Sequence, residues 1–183
     1  MTTFVALLRG INVGGHHKVP MAELRALCES TGLRDVRSYI QSGNLVFACA
    51  GKAPAVAKKL EAAIASRFGF AIDVIVRAAS QWPVYVQGNP LREASARAPN
   101  LVMLGLSKLP PNKGALAALR QRAAANERIE AVGDALWFHF ADGVGKSRLS
   151  SALIDRAVGS TVTVRNWRTV LELQKLLGGD AAP

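Results

Sequence analysis

Residues 36–49 read VRSYIQSGNLVFAC, and this stretch decides the fold. Two runs of strand-forming residues, 36–41 and 44–49, flank Ser42-Gly43, a pair suited to a two-residue hairpin turn. Upstream, residues 3–9 are apolar and read as a strand, and the glycines of residues 10–15 break it. Pro20 suits the first turn of a helix, where a missing N–H costs nothing. Met21, Leu24, Leu27 and Cys28 then form one apolar stripe, stopped by Gly32. Downstream, Val56, Leu60, Ile64 and Phe68 repeat at helical spacing up to Gly69, and Ile72, Val74 and Val76 alternate as a strand. The order is β-α-β-β-α-β.

The pattern then repeats. Residues 80–89 read as a short helix capped by Ser80 with Pro83 in its first turn, and residues 88–100, with Gly, two Pro and no period, as the boundary between halves. Residues 101–106 read as a strand, Pro110-Pro111-Asn112 as a break, and Leu116, Leu119 and Ala123 as a helix. Strands at 128–132 and 135–140 flank a Gly133-Asp134 turn; Leu149, Leu153 and Ala157 mark a helix ended by Gly159, and 161–165 is the last strand. A final amphipathic helix is capped by Asn166, buries Val170, Leu173 and Leu177, and stops at Gly178. The fold class expected is α+β: two tandem ferredoxin-like units with antiparallel sheets, plus a C-terminal helix. The units are assigned to 1–88 and 100–183, with 89–99 as linker. A crossover of this kind makes the first two strands parallel. The loop at 9–18 and the hairpin at 41–44 should then be neighbours, and residues 145–147 should lie near 165–167.

Composition narrows the function. The chain has 183 residues, half of them apolar and 20% charged, which excludes a disordered chain. Two cysteines exclude a disulfide framework, and both fall at core positions of their elements. No apolar run approaches the ~20 residues of a membrane span, and no signal peptide is seen, so a cytoplasmic protein without a membrane partner is expected, as monomer or weak homodimer. The net charge of +10, with a sequence pI near 10.3, suits an anionic partner such as nucleotide or nucleic acid.

Several segments resemble the signature of a known family. These are LRGINVGG at 8–15, KVPMAEL at 18–24, YIQSGN at 39–44 and RNW at 165–167, with Asn89-Pro90 as a mid-chain pair. Together they are similar to the bacterial domain of unknown function 1697 family. The resemblance covers nearly the whole chain and implies two ferredoxin-like units. It implies no activity, substrate or cofactor.

Two clusters carry the candidate chemistry. In the first, a glycine-bearing loop directly after a strand can turn backbone N–H groups toward an anion. Its ligand-binding candidates are Arg9, Gly10, Asn12, Gly14, Gly15 and Lys18, joined by Tyr39, Gln41, Ser42 and Asn44 from the hairpin. The glycines run G-x-x-x-G-G, so this is no dinucleotide fingerprint. The alternative is a tight connection needing left-handed backbone at Gly14 or Gly15.

In the second cluster, Gly143-Val144-Gly145-Lys146-Ser147 invites a phosphate-loop reading, but Phe140 stands where the pattern needs glycine. Lys146 and Ser147 could hold a single phosphate at a helix start, or Ser147 could simply cap that helix. Arg165 could pair with phosphate or carboxylate, while Trp167 either packs under the last helix or stacks on a base.

Catalysis finds little footing. His16 and His17 are adjacent and diverge, His139 sits on a strand, and no hydrolase, zincin or carboxylate-pair motif occurs, so no metal site is expected. The aromatic run of an RNA-binding sheet is absent, and sheet faces that packed together would not be free. The leading expectation is a non-catalytic module that binds an anionic ligand. A small-molecule enzyme at the same loops and a protein-interaction scaffold are the alternatives.

Overall fold

The computed structural model describes residues 1–178. The chain divides into two compact units, one comprising Met1–Val84 with residues 172–178, the other Tyr85–Leu171. Residues 179–183 of the second-unit assignment lie outside the described residues.

The first unit is built from β1 (Thr2–Leu8), α1 (Met21–Ser30), β2 (Arg34–Tyr39), β3 (Asn44–Cys49), α2 (Ala53–Phe68) and β4 (Val74–Ala78). Its sheet has the order β2-β3-β1-β4, all neighbours antiparallel. This is the expected βαββαβ unit. Phe4, Ala6 and Leu8 of β1 face the helices and pack with Leu24, Cys28, Leu60 and Ile64. A strand presents alternate residues to opposite faces, so Val5 and Leu7 face the other way. They are buried too. Burial pushes the Cys28 thiol up to about 12, so it stays protonated and inert at neutral pH.

A turn of 3-10 helix (Ala79–Gln81) leads into α3 (Trp82–Gln87). Pro83 is in the first turn of α3 as expected, but Ser80 is not its cap: the helix follows the 3-10 turn without a break. The stretch read as the boundary between halves contains α4 (Arg92–Arg97). The reason is tertiary. Asn89 is buried, its Oδ1 accepts from Leu91 N at 2.8 Å, and its Nδ2 donates to Ser95 Oγ at 2.8 Å. A carboxamide satisfied at both ends starts a helix that has no apolar periodicity.

The second unit continues with β5 (Val102–Ser107), α5 (Ala115–Arg122), β6 (Arg128–Val132), β7 (Ala135–His139), α6 (Ser151–Val158) and β8 (Val162–Asn166), ordered β6-β7-β5-β8. The last helix, α7 (Trp167–Leu177), is capped by Asn166, whose Oδ1 accepts from Thr169 N at 2.9 Å. The core lies between sheet and helices, around Leu119, Phe138, Ile154 and Val158. On the opposite sheet face, Leu104 and Trp137 are buried as well.

The two sheets repeat in register. Val5 lies opposite Val46 and Arg77, as Leu104 lies opposite Trp137 and Arg165. The closing strands read VIVRA at 74–78 and VTVRN at 162–166. Each arginine folds back on the carbonyl before it, Arg77 Nη1 on Val76 O at 3.2 Å and Arg165 Nη1 on Val164 O at 2.8 Å.

Three local expectations need correction. The helix start near residue 147 is later: Ser150, not Ser147, caps α6, its Oγ accepting from Leu153 N at 3.3 Å. Ser147 ends a 3-10 turn (Val144–Lys146) and accepts from Leu149 N at 3.0 Å. Pro20 stands at the cap of α1 rather than in its first turn. The first hairpin is also wider than two residues.

Candidate functional site

The first cluster assembles as the topology requires. β1 ends beside the β2–β3 turn, with Leu8 N donating to Gly43 O at 2.8 Å. The connection from β1 to α1 is anchored by Ile11 and Val19, each 1% exposed. Asn12 ties these anchors together. Its Nδ2 donates to Val19 O at 3.0 Å and to Gln41 O at 2.8 Å, and its Oδ1 accepts from Val19 N at 2.8 Å. One carboxamide thus closes the loop on itself and clamps it to the hairpin. Asn12 adopts a φ of 55°, a left-handed conformation that Asn tolerates better than most residues.

The loop tip is a hairpin in miniature. His16 N donates to Val13 O at 3.1 Å across Gly14 and Gly15, at φ 59° and 80°. Two left-handed central residues mark a type I′ turn, which glycine accepts without steric cost. His17 Nδ1 lies 3.2 Å from Gly10 O, and its ring stacks on Phe70 with centroids 4.4 Å apart. Arg9 N donates to Asp73 O at 3.0 Å. Phe70 and Asp73 are neighbours that sequence reasoning missed. Their signal was topological, because the start of β4 pairs with the end of β1, Val74 opposite Leu8.

The β2–β3 hairpin turns through residues 40–43, closed by the Tyr39–Asn44 pair. The reason is close approach: a Cβ on Gly43 would stand 2.7 Å from Leu8 Cβ and 2.8 Å from Ile11 Cδ1. Seating Gly43 against β1 draws the turn open, and Ile40 takes the strain at φ 49° while remaining 52% exposed. For a β-branched residue this backbone is an outlier. Asn44 is fully buried, and its Nδ2 donates to Tyr39 O at 3.1 Å and Ser42 Oγ at 2.9 Å. Asn12 and Asn44, read as ligand groups, therefore serve the loops themselves.

The surface that remains is well defined. Gly14, Gly15, His16, Lys18 and the Gln41 side chain are exposed, Arg9 and Tyr39 are half-buried, and Gly10 is exposed at the base of the loop. Among the described residues, the Gly14 and Gly15 amides donate to no group of the chain. Val13, at 64% exposed, and Ile40 add apolar tips beside this basic surface.

The residues of the second cluster sit in different surroundings. Arg165 is 9% exposed and lies on the sheet face away from α5 and α6, where Nη1 also donates to Thr163 Oγ1 at 2.8 Å. Burial lowers its pKa to about 10. Lys146 is exposed on the segment leading into α6. Trp167 packs against Trp137, with ring centroids 5.6 Å apart, and its N donates to Pro99 O at 3.0 Å. The Asn89-Pro90 pair instead borders a polar cavity of about 610 Å³ lined also by Arg92 and Arg128. Among the described residues, no group of three His, Cys, Asp or Glu side chains is placed to hold a metal, and no helix is long and apolar enough to cross a membrane.

Comparison with known proteins places this geometry. The family model described as a protein of unknown function (DUF1697) matches residues 1–137. A solved structure, the conserved bacterial protein SP0830 from Streptococcus pneumoniae, superposes with a TM-score of 0.73 at 24% identity, covering 96% of this chain and 98% of that one. At that identity the likeness shows the fold. No curated protein matches this chain.

Proposed function

This chain belongs to the DUF1697 family of proteins of unknown function, and with no activity to inherit we propose that it is a non-catalytic module binding an anionic ligand, the phosphate of a nucleotide or nucleic acid. The site is the loop at residues 10–15 with Arg9 and Lys18 at its base. One observation carries the reading. Gly14 and Gly15 are exposed on a turn whose base Asn12 staples to Val19 and Gln41, and Lys18 and His16 flank that turn. Fixed backbone donors with an adjacent cation are what an anion needs, and a preformed loop loses little entropy on binding. The net charge of +10 supports an anionic partner by drawing it in from solution.

The test is fluorescence anisotropy of labelled single- and double-stranded oligonucleotides at low and near-physiological salt, with inorganic phosphate as competitor. Binding persists at the higher salt, and Lys18→Ala weakens it while reducing the salt slope by about 1. Arg9→Ala weakens it further, with circular dichroism confirming the fold. Binding that vanishes with salt alike for wild type and variants would reject this site and leave only non-specific attraction.

A further inference from the structure

The internal repeat provides its own control for the helix layer. In the first unit, Arg67 in the last turn of α2 donates to Glu23 in the first turn of α1 at 2.8 Å, so the cation at that cross-helix position is neutralised from within. In the second unit, Arg156 occupies the last turn of α6, but the first turn of α5 holds no acidic residue. The whole of α5 reads ALAALRQR, without a carboxylate. Asp155, the one acid of α6, accepts from Val162 N at 2.8 Å.

Arg156 shares a groove with Arg122 of α5. The groove has a volume of about 400 Å³ and is lined also by Ala118, Ala152, Leu153 and Ala157, with Ser150. Both arginines are exposed, and among the described residues neither makes a hydrogen bond or ion pair. A last-turn arginine favours its own helix dipole wherever its head points. The dipole therefore does not account for two arginines from different helices bordering one apolar floor. An apolar cleft of this size with a few charged groups at its rim has the make-up of a small-ligand site. The guanidinium fork matches a carboxylate bidentately.

We propose that the α5–α6 groove binds a free, medium-chain aliphatic carboxylic acid, its carboxylate held by Arg122 and Arg156 and its chain laid along Ala118, Leu153 and Ala157. The ligand's carboxylate answers Arg156 as Glu23 answers Arg67, and it also takes Arg122, a last-turn residue with no basic counterpart in the last turn of α1. Its floor is apolar and it has no backbone nest, which separates this site from the glycine loop; neither reading depends on the other.

The experiment titrates sodium octanoate, below micelle formation, into the full-length ¹⁵N-labelled chain and follows amide shifts. Octyltrimethylammonium serves as the control of opposite charge. Saturable shifts are expected at Ala118, Arg122, Leu153 and Ala157 with octanoate and not with the cation. The double variant R122Q/R156Q should bind octanoate at least tenfold more weakly while its melting temperature falls only slightly, because both side chains are exposed and each gives up only a last-turn charge on its helix dipole. Leu153→Asn, checked for fold by its amide spectrum, should weaken binding through the floor instead. The proposal is overturned if octanoate gives no saturable shift, if the shifts centre on another surface, or if R122Q/R156Q binds as the wild type does.

Discussion

The two units share strand order and register, yet they differ in what their connections do. In the first unit the link from β1 to α1 is a stapled loop with its own miniature hairpin, and the β2–β3 turn is wide and strained at Ile40. In the second unit β6 and β7 join through Gly133-Asp134 alone, with Val132 paired to Ala135. Asp134 then accepts from the buried Tyr85 hydroxyl at 3.1 and 3.2 Å, a structural tie. The helix layers differ the other way: the first closes its cross-helix charge internally, while the second leaves two arginines exposed. One frame thus carries elaborated loops on one copy and an unneutralised helix face on the other. In each copy the surface that departs from the plain repeat is the place to look for binding.

The sharpest way to break this comparison is at the hairpin glycines. Gly43→Ala must seat a Cβ against Leu8 and Ile11 and hold it at φ 74°, and should cost about 3 kcal/mol by denaturant unfolding. Gly133→Ala, with open space around its Cβ, should cost only about 1 kcal/mol. Equal losses would mean that the first hairpin is not under closer packing. Next comes the staple. Asn12→Ala removes three hydrogen bonds, leaves Val19 N without its acceptor, and should cost about 2 kcal/mol. Hydrogen exchange at the Val19 amide should rise with it; an unchanged rate would show that the carboxamide does not hold the loop.

Relief of strain has the opposite sign. Ile40→Asn should stabilise the chain by about 1 kcal/mol, since Asn tolerates left-handed backbone and little apolar burial is lost. A lower melting temperature in that variant would mean that Ile40 is held by contacts rather than strained. The smallest effect is expected on the helix layer. A double-mutant cycle on Arg67 and Glu23, roughly half-exposed, should return about 0.5 kcal/mol of coupling, falling with salt. Arg156→Gln, which has no ion pair to lose and gives up only a last-turn charge on its helix dipole, should cost no more than about 0.3 kcal/mol.

The amino-acid sequence by itself determined the element order, the two antiparallel sheets and the meeting of the two loops of the first cluster. Period-2 and period-3.6 apolar patterns set which residues face the core, and a βαββαβ order leaves few topologies open. It also marked Asn166 as the cap of the last helix, because helix caps are local, but left Trp167 open between packing and base stacking. Only tertiary structure decided the width of the first hairpin, which depends on Gly43 meeting Leu8 and Ile11 from a distant strand and loop. It alone turned Asn12 and Asn44 inward and placed Arg165 behind the second sheet, and it built α4 from Asn89 and Ser95 without any periodic pattern. Residue type shows that a polar group must find a partner once buried, but whether that partner is ligand, solvent or backbone depends on which segments the folded chain brings within hydrogen-bond reach.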